Sequence, residues 1–209
     1  MAVSFDLFGT LVDVEMPDTP AAAVAEELSA RDVAVPADFE AAYREVHLDA
    51  PDGAEVPLPA HVAAVLSSRD VEAPNNAARR AVVAAFDPTV TRRDGALEAV
   101  ETASECGPVG LCSNCSVPEL VGRTLVRSEL RGAFDAVVTS VGCGWRKPDR
   151  RAFDAVATQL GVETESLVHV GDDPDTDGGI AVAGGEFVDI SETPLSSLTE
   201  RLRSAESDT

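Results

Sequence analysis

Two acidic stretches carry the side chains that are best suited to chemistry. Asp6 follows the apolar run of residues 2–5 and precedes a Gly-Thr turn, and Asp172 and Asp173 follow another apolar run. A single acid after a strand is more often a helix cap or a turn former than a nucleophile. Carboxylates that are crowded together repel one another unless a divalent cation and an ammonium group lie among them.

The only lysine of the chain, Lys147, follows a third apolar run, although the sequence has 16 lysine and arginine residues in total. Its retention among arginines is consistent with a need for a compact point charge beside the acids. Ser113 and Asn114 follow a fourth run and would add a hydroxyl and backbone N–H groups. Each of these signals is weak alone, because a lysine is often a surface charge and a Ser-Asn pair is often a cap.

The elements that must position these residues follow from the hydrophobic pattern. Apolar runs predict strands at residues 2–5, 108–112, 134–139, 166–170 and 186–190, and helical patterns predict helices at 95–106, 117–128, 149–160, 175–183 and 195–204. Continuous apolar runs are typical of strands that are covered on both faces. We therefore predict an α/β fold with a doubly wound parallel sheet, whose ligands bind beyond the carboxyl ends of the strands. The acids, Lys147 and the Ser-Asn pair all fall at those ends.

Residues 17–88 have a different, helical character and no strand signal of similar strength. Helices are predicted at residues 20–30, 36–48, 59–68 and 75–86, and three of them begin at or near a proline. This block would be an insert over one end of the sheet. The predicted organisation is a core formed by residues 1–13 and 89–209, with a helical cap at residues 14–88.

The charge of the chain excludes some classes of function. Asp and Glu number 37 and the net charge is -21, so the field of the protein repels nucleic acid and anionic membranes. The acidic excess, with arginine in place of lysine, favours adaptation to a salt-rich cytoplasm. No signal peptide and no membrane-spanning stretch is visible, so we expect a cytoplasmic protein with a small-molecule substrate. The oligomeric state is not readable from the sequence.

Four stretches together resemble the motifs of the haloacid dehalogenase superfamily of hydrolases: FDLFGTLVD, LCSN, RKPD and HVGDDPDTD. The resemblance extends over nearly the whole chain and includes a helical cap inserted after the first motif. It implies a Rossmann-like core. The motifs in combination are specific for the superfamily but not for a substrate.

Most members of this superfamily are magnesium-dependent phosphatases, and the resemblance implies matching roles here. Asp6 would be the nucleophile that forms an aspartyl-phosphate. Magnesium would be bound by Asp6, Asp172 and the main-chain carbonyl of Phe8, with Asp173 joining through water or as a supporting residue.

The resemblance also implies a set of residues around the phosphoryl group. Lys147 would neutralise Asp6 and the phosphoryl group, and Asp177 would orient its neighbours. The residues expected to bind phosphoryl oxygens or substrate are Ser113, Gly9, Thr10 and Asn114.

One residue departs from the phosphatase pattern. The residue two positions after the nucleophile is usually a second Asp, which protonates the leaving oxygen, and here it is Phe8. General acid–base help is worth ~10²–10⁴-fold in rate, or roughly 3–5 kcal/mol. Without it, we expect slow hydrolysis of alkyl phosphates, unless Asp13, Glu45 or His47 replaces the missing acid.

Two alternatives follow from this departure. The 2-haloacid dehalogenases have an aromatic residue at this place, and there Asp6 would displace a halide, which leaves without a proton. In that case Arg44 of the cap would bind the carboxylate of the substrate. Against this interpretation, the fourth motif keeps an acidic pair that those enzymes lack. The other alternative is a member that binds phosphate or a partner and does little chemistry.

Overall fold

The fold is known from a computed structural model that describes residues 1–198 and residue 201. Seven strands are described: β1 (Ala2–Phe5), β2 (Val12–Val14), β3 (Val90–Arg92), β4 (Val109–Ser113), β5 (Ala136–Thr139), β6 (Leu167–Gly171) and β7 (Glu186–Asp189). Five of them form a parallel sheet in the order β5-β4-β1-β6-β7. The predicted doubly wound parallel sheet is therefore confirmed.

Helices cover both faces of this sheet. The helices are α1 (Pro20–Ser29), α2 (Phe39–Tyr43), α3 (Leu58–Ser67), α4 (Ala77–Ala85), α5 (Ala96–Cys106), α6 (Leu120–Arg127), α7 (Ser140–Cys143), α8 (Arg150–Leu160) and α9 (Gly179–Val182). Alternate residues of one strand point to opposite faces. Accordingly, Val3 and Phe5 pack in the same core cluster as α5, and Ala2 packs in a second cluster with α8.

The register of the central strands brings their carboxyl ends to one level. Phe5 at the end of β1 is opposite Leu111 of β4 and Val170 of β6. The N–H of Asp6 continues this pairing by donating to the carbonyl of Val170 at 2.9 Å. The residues that follow the three strands therefore meet at one edge of the sheet.

A short ribbon of two antiparallel strands, β2 and β3, was not predicted. Val12 is opposite Arg92 and Val14 is opposite Val90. Three-residue strands give too little alternation to stand out in a sequence. The four helices α1 to α4 lie between these strands in the chain. We propose that the chain leaves and re-enters the core at this ribbon, with residues 14–88 as the cap.

Two predicted helices are shorter than expected. The predicted helix at residues 36–48 is limited to α2, because the ring Nε2 of His47 folds back to the carbonyl of Ala42 at 2.7 Å. The predicted helix at 175–183 is limited to α9, because Asp173 holds a turn through the N–H of Asp175 (2.9 Å) and the hydroxyl of Thr176 (3.0 Å). The last predicted helix, 195–204, falls partly outside the described residues.

The loop before α3 pairs with the loop that leads to Lys147. Ala54 forms an antiparallel bridge with Trp145. The N–H of Glu55 donates to the carbonyl of Gly144 (2.9 Å), and the N–H of Arg146 donates to the carbonyl of residue 53 (2.9 Å). The helical segment is therefore tied by backbone hydrogen bonds to the loop that carries the lysine.

Within the described residues, no helix combines the length and the hydropathy that a membrane crossing requires.

Candidate active site

Lys147 lies at the centre of a buried cluster of charges. Its Nζ is 2.7 Å from Oδ1 of Asp6 and 2.5 Å from Oδ1 of Asp177, and its side chain is 1% exposed. An ammonium group is buried this deeply only when it is paired and hydrogen-bonded. The predicted contact between the single lysine and Asp6 is thus present, and Asp177 is a second direct partner of the lysine.

The two carboxylates compete for one ammonium group, and their pKa values separate accordingly. Burial raises the pKa of Asp6 to about 6, although the charge of Lys147 opposes this. Burial would also raise the pKa of Asp177, but hydrogen bonds from His169 and Lys147 outweigh burial and hold this pKa below the usual range. Burial alone would lower the pKa of Lys147, but the nearby carboxylates outweigh it and raise that pKa. Asp6 is therefore the carboxylate whose charge is less fully compensated.

His169 lies beneath this cluster and is fully buried. Its Nε2 is 3.1 Å from Oδ1 of Asp177, and its Nδ1 is 2.8 Å from the hydroxyl of Ser4. A carboxylate only accepts hydrogen bonds, so Nε2 carries the proton and Nδ1 accepts from Ser4. Burial lowers the pKa of His169 to about 4, so the ring is neutral near pH 7 and positions Asp177.

The acids also form a candidate cation site. Asp6, Asp172 and Asp177 each offer an oxygen, and these atoms lie within 4.8 Å of one another. They open onto a cavity of about 250 Å³. The charged groups on its wall are the carboxylates of Asp6, Asp172, Asp173 and Asp177 and the cationic groups of Lys147 and Arg146. Four carboxylates against two cations leave two excess negative charges, which a divalent cation would neutralise; hard oxygen ligands suit Mg²⁺.

Two glycines allow the acids to approach the strand ends this closely. A Cβ on Gly9, which has a φ of +86°, would stand 2.3 Å from Oδ2 of Asp172. A Cβ on Gly171 would stand 2.1 Å from Oδ2 of Asp177. Any side chain at either position would therefore push a carboxylate out of the cluster.

Asn114 fixes the loop that carries the lysine. Its side-chain oxygen accepts from the N–H of Lys147 and its side-chain nitrogen donates to the carbonyl of Lys147, both at 2.9 Å. Next to it, Ser113 ends β4, and its buried hydroxyl has no hydrogen-bond partner among the described residues. An unpaired buried hydroxyl is costly, so Oγ of Ser113 is available to an oxygen of a ligand, although Asn114 and not Ser113 is on the cavity wall.

Three of the predicted substrate-binding residues have other partners. The N–H of Gly9 donates to the carbonyl of Val12 at 2.8 Å, so this N–H is already used within the protein. Thr10 is fully buried and its hydroxyl donates to Oδ1 of Asp172 at 2.8 Å, so it positions an acid and does not face a substrate. Arg44 has a side chain that is 70% exposed and pairs with Glu40 at 2.5 Å, away from the cavity wall.

The acids proposed to replace the one missing at Phe8 lie elsewhere. Asp13 faces Arg93 at 3.4 Å, and Glu45 faces Arg69 at 3.3 Å. His47, already shown to contact a carbonyl of α2, does not line the cavity either. Phe8 itself is on the cavity wall, as are Asp173 and Thr176.

Sequence reasoning gave no role to Arg146, Thr176 or Glu55. Arg146 could have been found from its place directly before Lys147, and Thr176 from its place within the fourth acidic stretch. Glu55 gives no signal in the sequence, because it lies far from every motif and reaches the site only through the pairing of its loop.

Comparisons with known proteins agree with this fold. A family model described as haloacid dehalogenase-like hydrolase matches residues 1–185. None of the curated protein sequences matches the chain. The solved structure of a 2-haloacid dehalogenase from Pseudomonas syringae pv. Tomato DC3000 has a TM-score of 0.70 and 19% identity, and the match covers 98% of each chain.

A HAD phosphatase from Thermococcus onnurineus is also similar, with a TM-score of 0.57 and 18% identity over 98% of this chain and 97% of that chain. A protein from Rhodobacter sphaeroides solved in complex with phosphate has a TM-score of 0.57 and 19% identity over 89% of this chain and 84% of that one. At such identities, the likeness shows the fold and not the reaction.

Proposed function

Because this chain belongs to the haloacid dehalogenase-like hydrolases, we propose that it hydrolyses a small phosphorylated metabolite through Asp6, with Mg²⁺ as its cofactor. One observation carries the proposal: Asp6 contacts the single ammonium group at 2.7 Å on the wall of a cavity with an excess of carboxylates. A divalent cation would offset the two excess negative charges of this cavity and allow a phosphate ester to approach Asp6.

The candidate cation site would be formed by Asp6, Asp172 and Asp177, with the carbonyl of Phe8 and with Asp173 nearby. Bound Mg²⁺ would neutralise the acids and the phosphoryl oxygens. Thr10 and Gly9 act on this site indirectly, because the first holds the Asp172 carboxylate and the second leaves room for it.

In the proposed reaction, Oδ2 of Asp6 attacks phosphorus while Oδ1 is held by Lys147. A bond from Asp6 to phosphorus forms, and the bond from phosphorus to the leaving oxygen breaks, so the electron pair leaves with that oxygen. Water then attacks the aspartyl-phosphate, which releases phosphate and restores Asp6. The positive charge of Lys147 and the hydroxyl of Ser113 stabilise the phosphoryl oxygens in both steps.

The place that holds the acid in related phosphatases is occupied by Phe8, and the proposed replacements lie off the cavity wall. The leaving oxygen therefore departs without a proton from this chain. Since such help is worth roughly 3–5 kcal/mol, the preferred substrates have good leaving groups, such as acyl or aryl phosphates.

A second candidate is displacement of halide from a small 2-haloacid. The observation that favours it is the aromatic ring of Phe8 on the cavity wall, since a halide leaves without a proton. The acidic cluster weighs against it, because displacement of halide has no need for the divalent cation that the two excess negative charges would bind.

The test is hydrolysis of a panel of aryl phosphates of graded leaving-group pKa, at high salt, with Mg²⁺ titrated from zero. We expect turnover that requires Mg²⁺ and falls steeply as leaving-group pKa rises. Asp6→Asn keeps the shape of the side chain but removes the nucleophile, and its turnover should be undetectable.

Other outcomes would point to other functions. Chloride release from 2-chloropropionate in the presence of a chelator would favour the dehalogenase, and a lack of turnover on both substrate types would favour a binding protein. A flat dependence on leaving-group pKa would show that a general acid exists after all.

A further inference from the structure

Arg146 supplies a guanidinium group on the wall of the cavity that contains Asp6 and Lys147. No other guanidinium of the described residues lines this cavity. We propose that Arg146 binds a carboxylate carried by the substrate, and that Glu55 is the positioning residue that holds Arg146 in place. The proposal rests on the proposed function, which accounts for the phosphoryl group of the substrate. It adds that the same substrate carries a carboxylate.

The donors of Arg146 are only partly used within the protein. Its Nη1 is 2.7 Å from Oε2 of Glu55 and 3.1 Å from Oγ of Ser116. No hydrogen bond among the described residues uses its Nε or Nη2, and its side chain is 42% exposed. A guanidinium presents its donors in a planar fork that matches a carboxylate, so the unused donors can bind one.

Glu55 gives this arginine a fixed position. Its side chain is 2% exposed, and it accepts hydrogen bonds from Arg146 and from the hydroxyl of Ser140. The hydroxyl of Ser140 also accepts from the N–H of Cys115 at 2.8 Å. Glu55 therefore links three loops of the site, and breaking this buried group would release the guanidinium.

Arg146 also takes the role that the sequence suggested for Arg44. Arg44 pairs with Glu40 on the surface, whereas Arg146 directly precedes the lysine that contacts Asp6. The carboxylate-binding group is thus on the core loop and not in the helical segment.

The size of the cavity indicates the span of the substrate. A cavity of about 250 Å³ is on the order of 6 Å across, so a small molecule is long enough to contact Asp6 and Arg146 together. The substrate class is a small phosphorylated carboxylic acid. A 2-haloacid also carries a carboxylate, so the experiment must distinguish a phosphorylated carboxylic acid from a 2-haloacid.

The test is a calorimetric binding measurement that needs no turnover. The probes are phosphonoacetate and ethylphosphonate, which differ mainly in the carboxylate, titrated into protein that is saturated with Mg²⁺. We expect wild type to bind phosphonoacetate about 10-fold more tightly, the effect of one partly exposed charge-assisted pair. In Arg146→Gln this preference should fall to about 1, with Arg146→Lys between the two, and the affinity of each variant for ethylphosphonate is the baseline against which its preference is measured.

Two further variants complete the test, one as a control and one to test the role of Glu55. Arg150→Gln removes an arginine that is 53% exposed and paired with Glu165, off the cavity wall, and should keep the full preference. Glu55→Gln should weaken the preference for phosphonoacetate, and thermal unfolding shows whether that variant is still folded.

The outcomes separate this proposal from the proposed function. If the preference survives in Arg146→Gln, or is lost in Arg44→Gln, the proposal is wrong even if aryl phosphates are hydrolysed. If neither phosphonate binds but 2-chloropropionate is dehalogenated in an Arg146-dependent way, the phosphatase proposal fails and the role of Arg146 stands. If no probe depends on Arg146, the role of Arg146 is refuted.

Discussion

Lys147→Met tests the central claim, that one ammonium group holds two buried carboxylates together. The substitution keeps most of the length of the side chain and removes its charge. Asp6 and Asp177 then remain buried without their common partner, with side chains only 10% and 2% exposed. Removal of one partner of a buried ion pair costs about 3–5 kcal/mol. For a chain of 209 residues, this corresponds to a fall in Tm of roughly 6–20 °C.

The loss should depend on pH in a defined direction. In wild type the pKa of Asp6 is raised to about 6 from 3.8. A raised pKa means that the folded state binds the proton more tightly, so this term stabilises at low pH and is lost as pH rises through 6. Without Lys147 the pKa of Asp6 rises further, so the deficit should be large at pH 8 and smaller at pH 5.

The assay is denaturant unfolding of both proteins with a chelator present, at high salt and at both pH values. The matched control is Arg150→Met, which breaks an exposed pair and should leave the free energy of unfolding close to that of wild type. If Lys147→Met is within 1 kcal/mol of wild type at pH 8, the ion cluster does not hold the site together as described. Turnover of aryl phosphate should also fall, by ~10²–10³-fold, because Lys147 stabilises charge that develops on the phosphoryl group.

Three other predictions follow. The pKa of buried His169 is lowered to about 4 from 6.5, so the unfolded chain takes up a proton at a higher pH than the folded protein does. The free energy of unfolding should therefore fall by up to about 3 kcal/mol as pH drops from 6.5 to 4. In His169→Gln, the free energy of unfolding should change less over the same pH range. Gly9→Ala should abolish Mg²⁺ binding measured by calorimetry, because the added Cβ would collide with Asp172. The control is Gly132→Ala, at a residue with a similar φ of +84° and no atom within 4 Å of the added Cβ. It should lose only the stability that the backbone conformation costs, about 1–2 kcal/mol, and should still bind Mg²⁺. Because the net charge is -21, Tm measured by calorimetry should rise between 0.1 M and 2 M KCl, and a Tm maximum at low salt would contradict adaptation to a salt-rich cytoplasm.

The parallel sheet could be read from the sequence because its signal is local. The apolar runs of β1, β4 and β6 are fully buried, and each is followed directly by a residue that belongs to the site. Parallel strands place their carboxyl ends at one edge, so the order of elements predicts that Asp6, Asn114 and Asp172 lie at the same edge of the sheet. Short-range geometry was harder to predict, and the three-residue strands of the ribbon and the turn held by Asp173 were both missed.

The roles of single polar residues were decided by the tertiary structure. Thr10 lies in the turn after strand β1 and Ser113 ends strand β4. The hydroxyl of Thr10 donates to Asp172, whereas that of Ser113 has no partner among the described residues. Arg44 and Arg146 were equally available as carboxylate ligands by residue type, and only the packing of loops places one of them on the cavity wall. The sequence determined which groups exist and which strand end each one follows, because strand periodicity and connectivity are local properties. Which groups are close enough to share a proton, a cation or a substrate depends on distances between loops far apart in the chain, and only the folded molecule sets those distances.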